Sequence, residues 1–122
     1  MGMDIPDEID LISVFESIPK RKDETDLFYY DQSTFLFKTV NEVYEIILSP
    51  FYHEFSISVK EKKTDEVLSR LELFSVNKIE VVKDKKDNSQ IRLFHGESDR
   101  YENIIEITLK PRFKLIFREH YR

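Results

Sequence analysis

His53-Glu54-Phe55-Ser56-Ile57-Ser58-Val59-Lys60 is the stretch from which the rest of the chain can be read. Phe55, Ile57 and Val59 alternate with Glu54, Ser56, Ser58 and Lys60, so an extended backbone turns an apolar row one way and a polar row the other. A strand with one buried and one wet face belongs to an antiparallel sheet, because parallel sheets are covered on both faces. The same period of two recurs in Tyr44, Ile46 and Leu48, in Ile105, Ile107 and Leu109, and in Phe113, Leu115 and Phe117. Shorter candidates lie at 33–39 around Phe35 and Phe37, 67–75 around Leu71 and Leu73, 78–83 around Ile79 and Val81, and 90–95 around Ile91 and Leu93.

Polar connectors separate these segments: Asn41-Glu42, Lys60 to Glu66, Lys83 to Ser89, and Gly96 to Arg100. Pro50 and Pro111 cannot donate to a strand ladder and mark edges, bulges or turns. Thr64 to Leu71 reads either as strand or as a short helix capped by Thr64. The expected fold is mainly β (α+β): an antiparallel meander of about 7–8 strands over 33–120, forming a sandwich or an open barrel.

The first quarter has a different period. Ile5, Ile9, Ile12, Phe15 and Ile18 recur at spacings of three and four, with Leu11 and Val14 beside them. This pattern predicts one N-terminal amphipathic helix over 6–18, entered at Pro6 and stopped by Pro19. Lys20 to Asp26 reads as an exposed linker (20–26). With 122 residues and no repeat, the chain is expected to be a single domain over 1–122.

Charge is unevenly placed. Residues 1–31 hold nine acids and three bases, a net of −6, whereas residues 32–122 hold fifteen acids and sixteen bases. Next to the acids come Phe28-Tyr29-Tyr30, and Phe51-Tyr52 follows Pro50. Tyrosines offer large contact area with few rotamers to freeze, and they are enriched in recognition surfaces. Asp23, Glu24, Asp26, Tyr29, Tyr30, Phe51 and Tyr52 are therefore the candidate partner-binding residues. The competing reading of Phe28 to Tyr30 is a short strand that plugs the core.

Other chemistry finds little support. There are no cysteines, hence no disulfide, thiolate metal site or cysteine nucleophile. His53, His95 and His120 lack metal-ligand spacing and read as rim histidines, so no metal and no cofactor is expected. With glycine only at positions 2 and 96, no phosphate-cradling loop can be built. His95-Gly96-Glu97-Ser98-Asp99 contains the residue types of a catalytic triad, but within one loop it reads as a hairpin turn. Lys60-Lys62-Lys63 and Lys83-Lys85-Lys86 are interrupted by acids and read as solvated hairpin tips rather than as nucleic-acid contacts. No apolar run approaches the ~20 residues of a membrane helix. The start is acidic where a signal peptide is basic, and Pro6 departs from the myristoylation pattern after Gly2. A cytoplasmic, non-enzymatic protein is expected.

The segments VYEIILSPFYHEFSISVKE (43–61), LELFSVNKIEVVKD (71–84) and IIEITLKPRFKLIFREHY (104–121) resemble small proteins of Bacillus-type bacteria. Some of those are similar to immunity proteins encoded beside polymorphic, contact-dependent toxins. The likeness spans roughly 33–121 and rests on strand rhythm and short phrases, so it transfers no site residue. It implies an inhibitor that presents an acidic surface to a basic toxin domain, consistent with the charge placement above. Two other classes stay open at this point: a small-ligand-binding β-barrel or enzyme using the sheet interior, and a self-associating module joined through Phe51-Tyr52. In solution a monomer or weak homodimer is expected.

Overall fold

The strands form two antiparallel meanders in a computed structural model that describes residues 2–96 and 100–121. The first sheet comprises β1 (Lys20–Arg21), β2 (Ser33–Lys38), β3 (Glu42–Ser49), β4 (Glu54–Glu61) and β5 (Val67–Leu73), hydrogen-bonded in that order. The second comprises β6 (Val76–Lys85), β7 (Asn88–His95), β8 (Tyr101–Lys110) and β9 (Lys114–Tyr121). Within each sheet every strand pairs with its neighbours in sequence, as short connectors between alternating segments dictate. The chain changes sheet once, at Phe74-Ser75.

The two sheets pack as a sandwich, and neither closes into a barrel. Its interior is filled by inward rows of both: Phe35, Tyr44, Ile46, Leu48, Phe55, Ile57 and Val59 from the first sheet, and Val76, Ile79, Ile91, Leu93, Ile105, Ile107 and Leu109 from the second. The segment read both ways, Thr64 to Leu71, is a turn followed by β5. The Thr64 hydroxyl accepts the Glu66 N–H, Asp65 takes a left-handed conformation (φ 61°), and β5 then pairs with β4 across a bulge.

At one end of the sandwich, side chains bolt the sheets together. The Tyr44 hydroxyl donates to the Leu109 carbonyl (3.0 Å) and lies 3.3 Å from the buried Glu42 carboxylate. That carboxylate accepts the Phe113 N–H (3.1 Å), and the Asn41 amide donates to the Pro111 carbonyl (2.9 Å). Burial first, then the charge and hydrogen bond of Glu42, hold the Tyr44 phenol well above its ordinary pKa. It stays a hydroxyl and a donor.

The N-terminal strap closes the other end. The Met3 N–H donates to the Pro50 carbonyl, Asp4 forms a parallel bridge with Lys78 on β6, and the Met3 side chain is buried. After the strap, α1 (Glu8–Phe15) packs on β6. The helix is shorter than the periodicity predicts, and its buried stripe is displaced. Leu11, Val14 and Phe15 face the core, while Ile9 and Ile18 are 73% and 84% exposed. Pro6 and Ile5 belong to the strap rather than to the first turn. Glu16 ends the helix in a left-handed conformation (φ 51°), leaving Ile18 beyond it.

The segment read as exposed linker also starts differently. Lys20 and Arg21 pair with Thr34 and Ser33 as β1, and only the residues after them are loop. Phe28 to Tyr30 form a single 3-10 turn, not a strand, and a second such turn spans Pro50–Tyr52. The outward face of the second sheet carries a ladder of opposite charges, Glu80, Arg92, Glu106 and Arg118, with contacts of 3.6, 3.2 and 2.9 Å. This is the usual covering of a solvated antiparallel face.

Candidate functional site

The two 3-10 turns pack together beside the β1–β2 loop, and the site is built there. Tyr29, Tyr30, Phe51 and Tyr52 make a continuous run of rings, with successive centroids 5.6, 5.2 and 5.3 Å apart in edge-on or tilted geometry. Tyr29 is fixed at the inner end, where its hydroxyl donates to the Met3 carbonyl (2.8 Å). Tyr30 and Tyr52 stand at the outer end, 51% and 65% exposed.

Asp31 holds the loop in place. Its buried carboxylate accepts from Arg21 Nε (2.7 Å) and from the backbone N–H groups of Asp23 and Gln32. Arg21 also donates to the Asp26 carbonyl (2.7 Å) and lies over the Phe28 ring. Burial pulls the Asp31 pKa upward, but the Arg21 hydrogen bond, the two backbone donors and the Arg21 charge outweigh it, so the carboxyl sits below its ordinary value. Asp23 is lowered too, by the Thr25 hydroxyl and then the Thr25 N–H, which it accepts in a tight turn. Asp26 accepts the adjacent Leu27 N–H.

Between this loop and the Pro50–Tyr52 turn lies a cleft of about 610 Å³. Asp23, Asp26, Tyr30 and Tyr52 line it, joined by Lys22 and Glu54. Of the seven residues singled out from the sequence, these four share one wall system. Phe51 supports the tyrosines from behind, Tyr29 lines a separate cleft of about 590 Å³ against the strap, and Glu24 is exposed on the loop without lining either. Sequence reasoning missed Glu54, which it had placed on the wet face of β4. The outward position next to Phe51-Tyr52 was the signal available.

The cleft offers carboxylates flanked by phenol rings, an arrangement suited to cationic side chains through ion pairs and cation–π contact. Among the described residues no group of three or more His, Cys, Asp or Glu is placed to hold a metal ion. His53 bonds the Val76 carbonyl through Nδ1 (2.8 Å), and burial lowers the pKa of His95. Glu97, Ser98 and Asp99 lie outside the described residues. Among the described residues no helix is long and apolar enough to cross a membrane.

No protein-family model matches the chain, and neither does any curated protein. Among solved structures, a chain of the "Contact-dependent growth inhibition toxin - immunity protein complex from Klebsiella pneumoniae 342" superposes with a TM-score of 0.73. The identity is 17%, and the match covers 98% of this chain and 99% of that one. The two chains share their fold from end to end.

Proposed function

We propose that this protein is a non-enzymatic, immunity-like binding protein that captures a basic toxin domain in the cytoplasm of the cell that makes it. The observation that carries this reading is the end-to-end likeness to a chain of a toxin–immunity complex. The cleft supplies the chemistry of capture. Asp23, Asp26 and Glu54 attract a cationic surface over a distance, and Tyr30 and Tyr52 add apolar contact once it arrives. Two solvent-facing aromatics beside carboxylates are the composition of an energetic anchor with a steering rim. Arg21, clamped on Asp31, keeps that surface preformed, which lowers the ordering cost of binding.

The test is binding of the purified chain to toxin domains encoded near its gene, at low and high salt. Tyr52→Ala is expected to weaken binding by a factor of roughly 30. Asp26→Lys is expected to slow association and to flatten the salt dependence. Absence of binding and of protection on co-expression overturns the reading. Binding that neither substitution alters moves the interface away from this cleft.

A further inference from the structure

Each sheet has two edges, and they are treated differently. In the first sheet β1 is two residues long, too short to template another strand. In the second sheet β6 is bridged by the strap at Asn77–Ile79 and packed by α1. The outer strands left open are β5 and β9. On β9 the outward row is Lys114, Ile116, Arg118 and His120, which holds no acid to face a base of a second antiparallel copy, and Arg118 is already held by Glu106. On β5 the outward row contains Arg70 and Glu72, whose partners across β4 are the neutral Ser58 and Ser56.

We propose that β5 is a self-recognition edge, on which a second copy of this chain adds its own β5 antiparallel about a two-fold axis at Leu71. Only this register is electrostatically matched. It sets Arg70 of each copy opposite Glu72 of the other, whereas centring the axis on residue 70 or 72 opposes like charges. The same register brings Phe74, 67% exposed just past the strand end, against the exposed Val67-Leu68 corner of the second copy. The bulge lies at Val59/Lys60 and leaves Ser69–Leu73 in regular pairing with β4, so the free edge is straight where the second strand would add.

Five residue pairs form a small interface, and the dimer is accordingly weak and concentration-dependent. Because the axis stands perpendicular to the sheet and reverses the strand direction, the Pro50–Tyr52 turns of the two copies, and the clefts beside them, lie at opposite ends of a ten-stranded sheet. The inference stands on the edge alone and is independent of what the cleft binds.

Sedimentation equilibrium of the full chain from about 10 µM to 1 mM tests it. A reversible monomer–dimer equilibrium is expected. Arg70→Glu and Glu72→Arg should each weaken it about tenfold, and the double reversal R70E/E72R should restore it. Both side chains are exposed, and circular dichroism verifies that each variant is folded. A monomer throughout the range overturns the proposal. So does a dimer that the single reversals leave intact, or one that the double reversal fails to recover.

Discussion

Asp31 illustrates how one side chain can belong to a charge excess and yet contribute none of it to the surface. In the sequence it is the last of nine acids in the first 31 residues, but in the fold it is neutralised by Arg21 and two backbone donors. Nothing local marks this pair, since Arg21 lies in a charged stretch that reads as solvated until β1 is seen. The Asp31 pKa is lowered on folding, so the ionised form is bound more tightly by the native state. Its stabilising effect is complete above the ordinary carboxylate value, near pH 4, and is lost as the pH falls through the native value below it. Urea midpoints of the wild type and Asp31→Asn should therefore differ most near neutral pH and converge in acid, below the ordinary carboxylate value near pH 4. A gap that stays constant through that acid range would remove Asp31 from this role. Tyr30 and Tyr52 were legible as candidate contact residues because exposed aromatics cluster at acid-rich loops. Glu54 was not, because a strand's polar face is charged for solubility in any protein.

At the scale of elements, period decided what could be read. β4 alternates over its whole length, and its two faces should respond oppositely to truncation. Ile57→Ala removes a buried side chain between the sheets and is expected to cost about 2–5 kcal/mol. Ser58→Ala, on the outward face of the same strand, should change stability by no more than about 0.5 kcal/mol. Equal losses at both positions in a urea titration would contradict the register. β1 escaped notice because two residues cannot display a period. The α1 stripe was displaced because Ile9 and Ile18 satisfy helical spacing as well as Leu11, Val14 and Phe15 do. The left-handed turn at Glu16, which decides between the two, leaves no hydrophobic signature. The two 3-10 turns are shorter than any pattern that detects them.

For the whole molecule, the antiparallel meander was legible from alternation and connector length, whereas the place where it divides into two sheets was not. Phe74-Ser75 looks like any other connector, and only the three-dimensional match of two apolar rows reveals the break. Strand pairing between chain neighbours favours early formation of each sheet, and the strap must wait for both. Met3→Ala should therefore speed unfolding while leaving the refolding rate nearly unchanged, as expected for contacts made after the transition state. Stopped-flow refolding that slows in proportion to the lost stability would place the strap in the nucleus instead. The strap leaves the ribosome well before its anchors at Pro50, Asn77 and Ile79, which are translated much later. During synthesis the strap and the side of α1 that packs on β6 stay uncovered until most of the chain exists. A nascent chain stalled before β6 therefore exposes its N-terminal segment to chaperones and proteases, and completing β6 withdraws it.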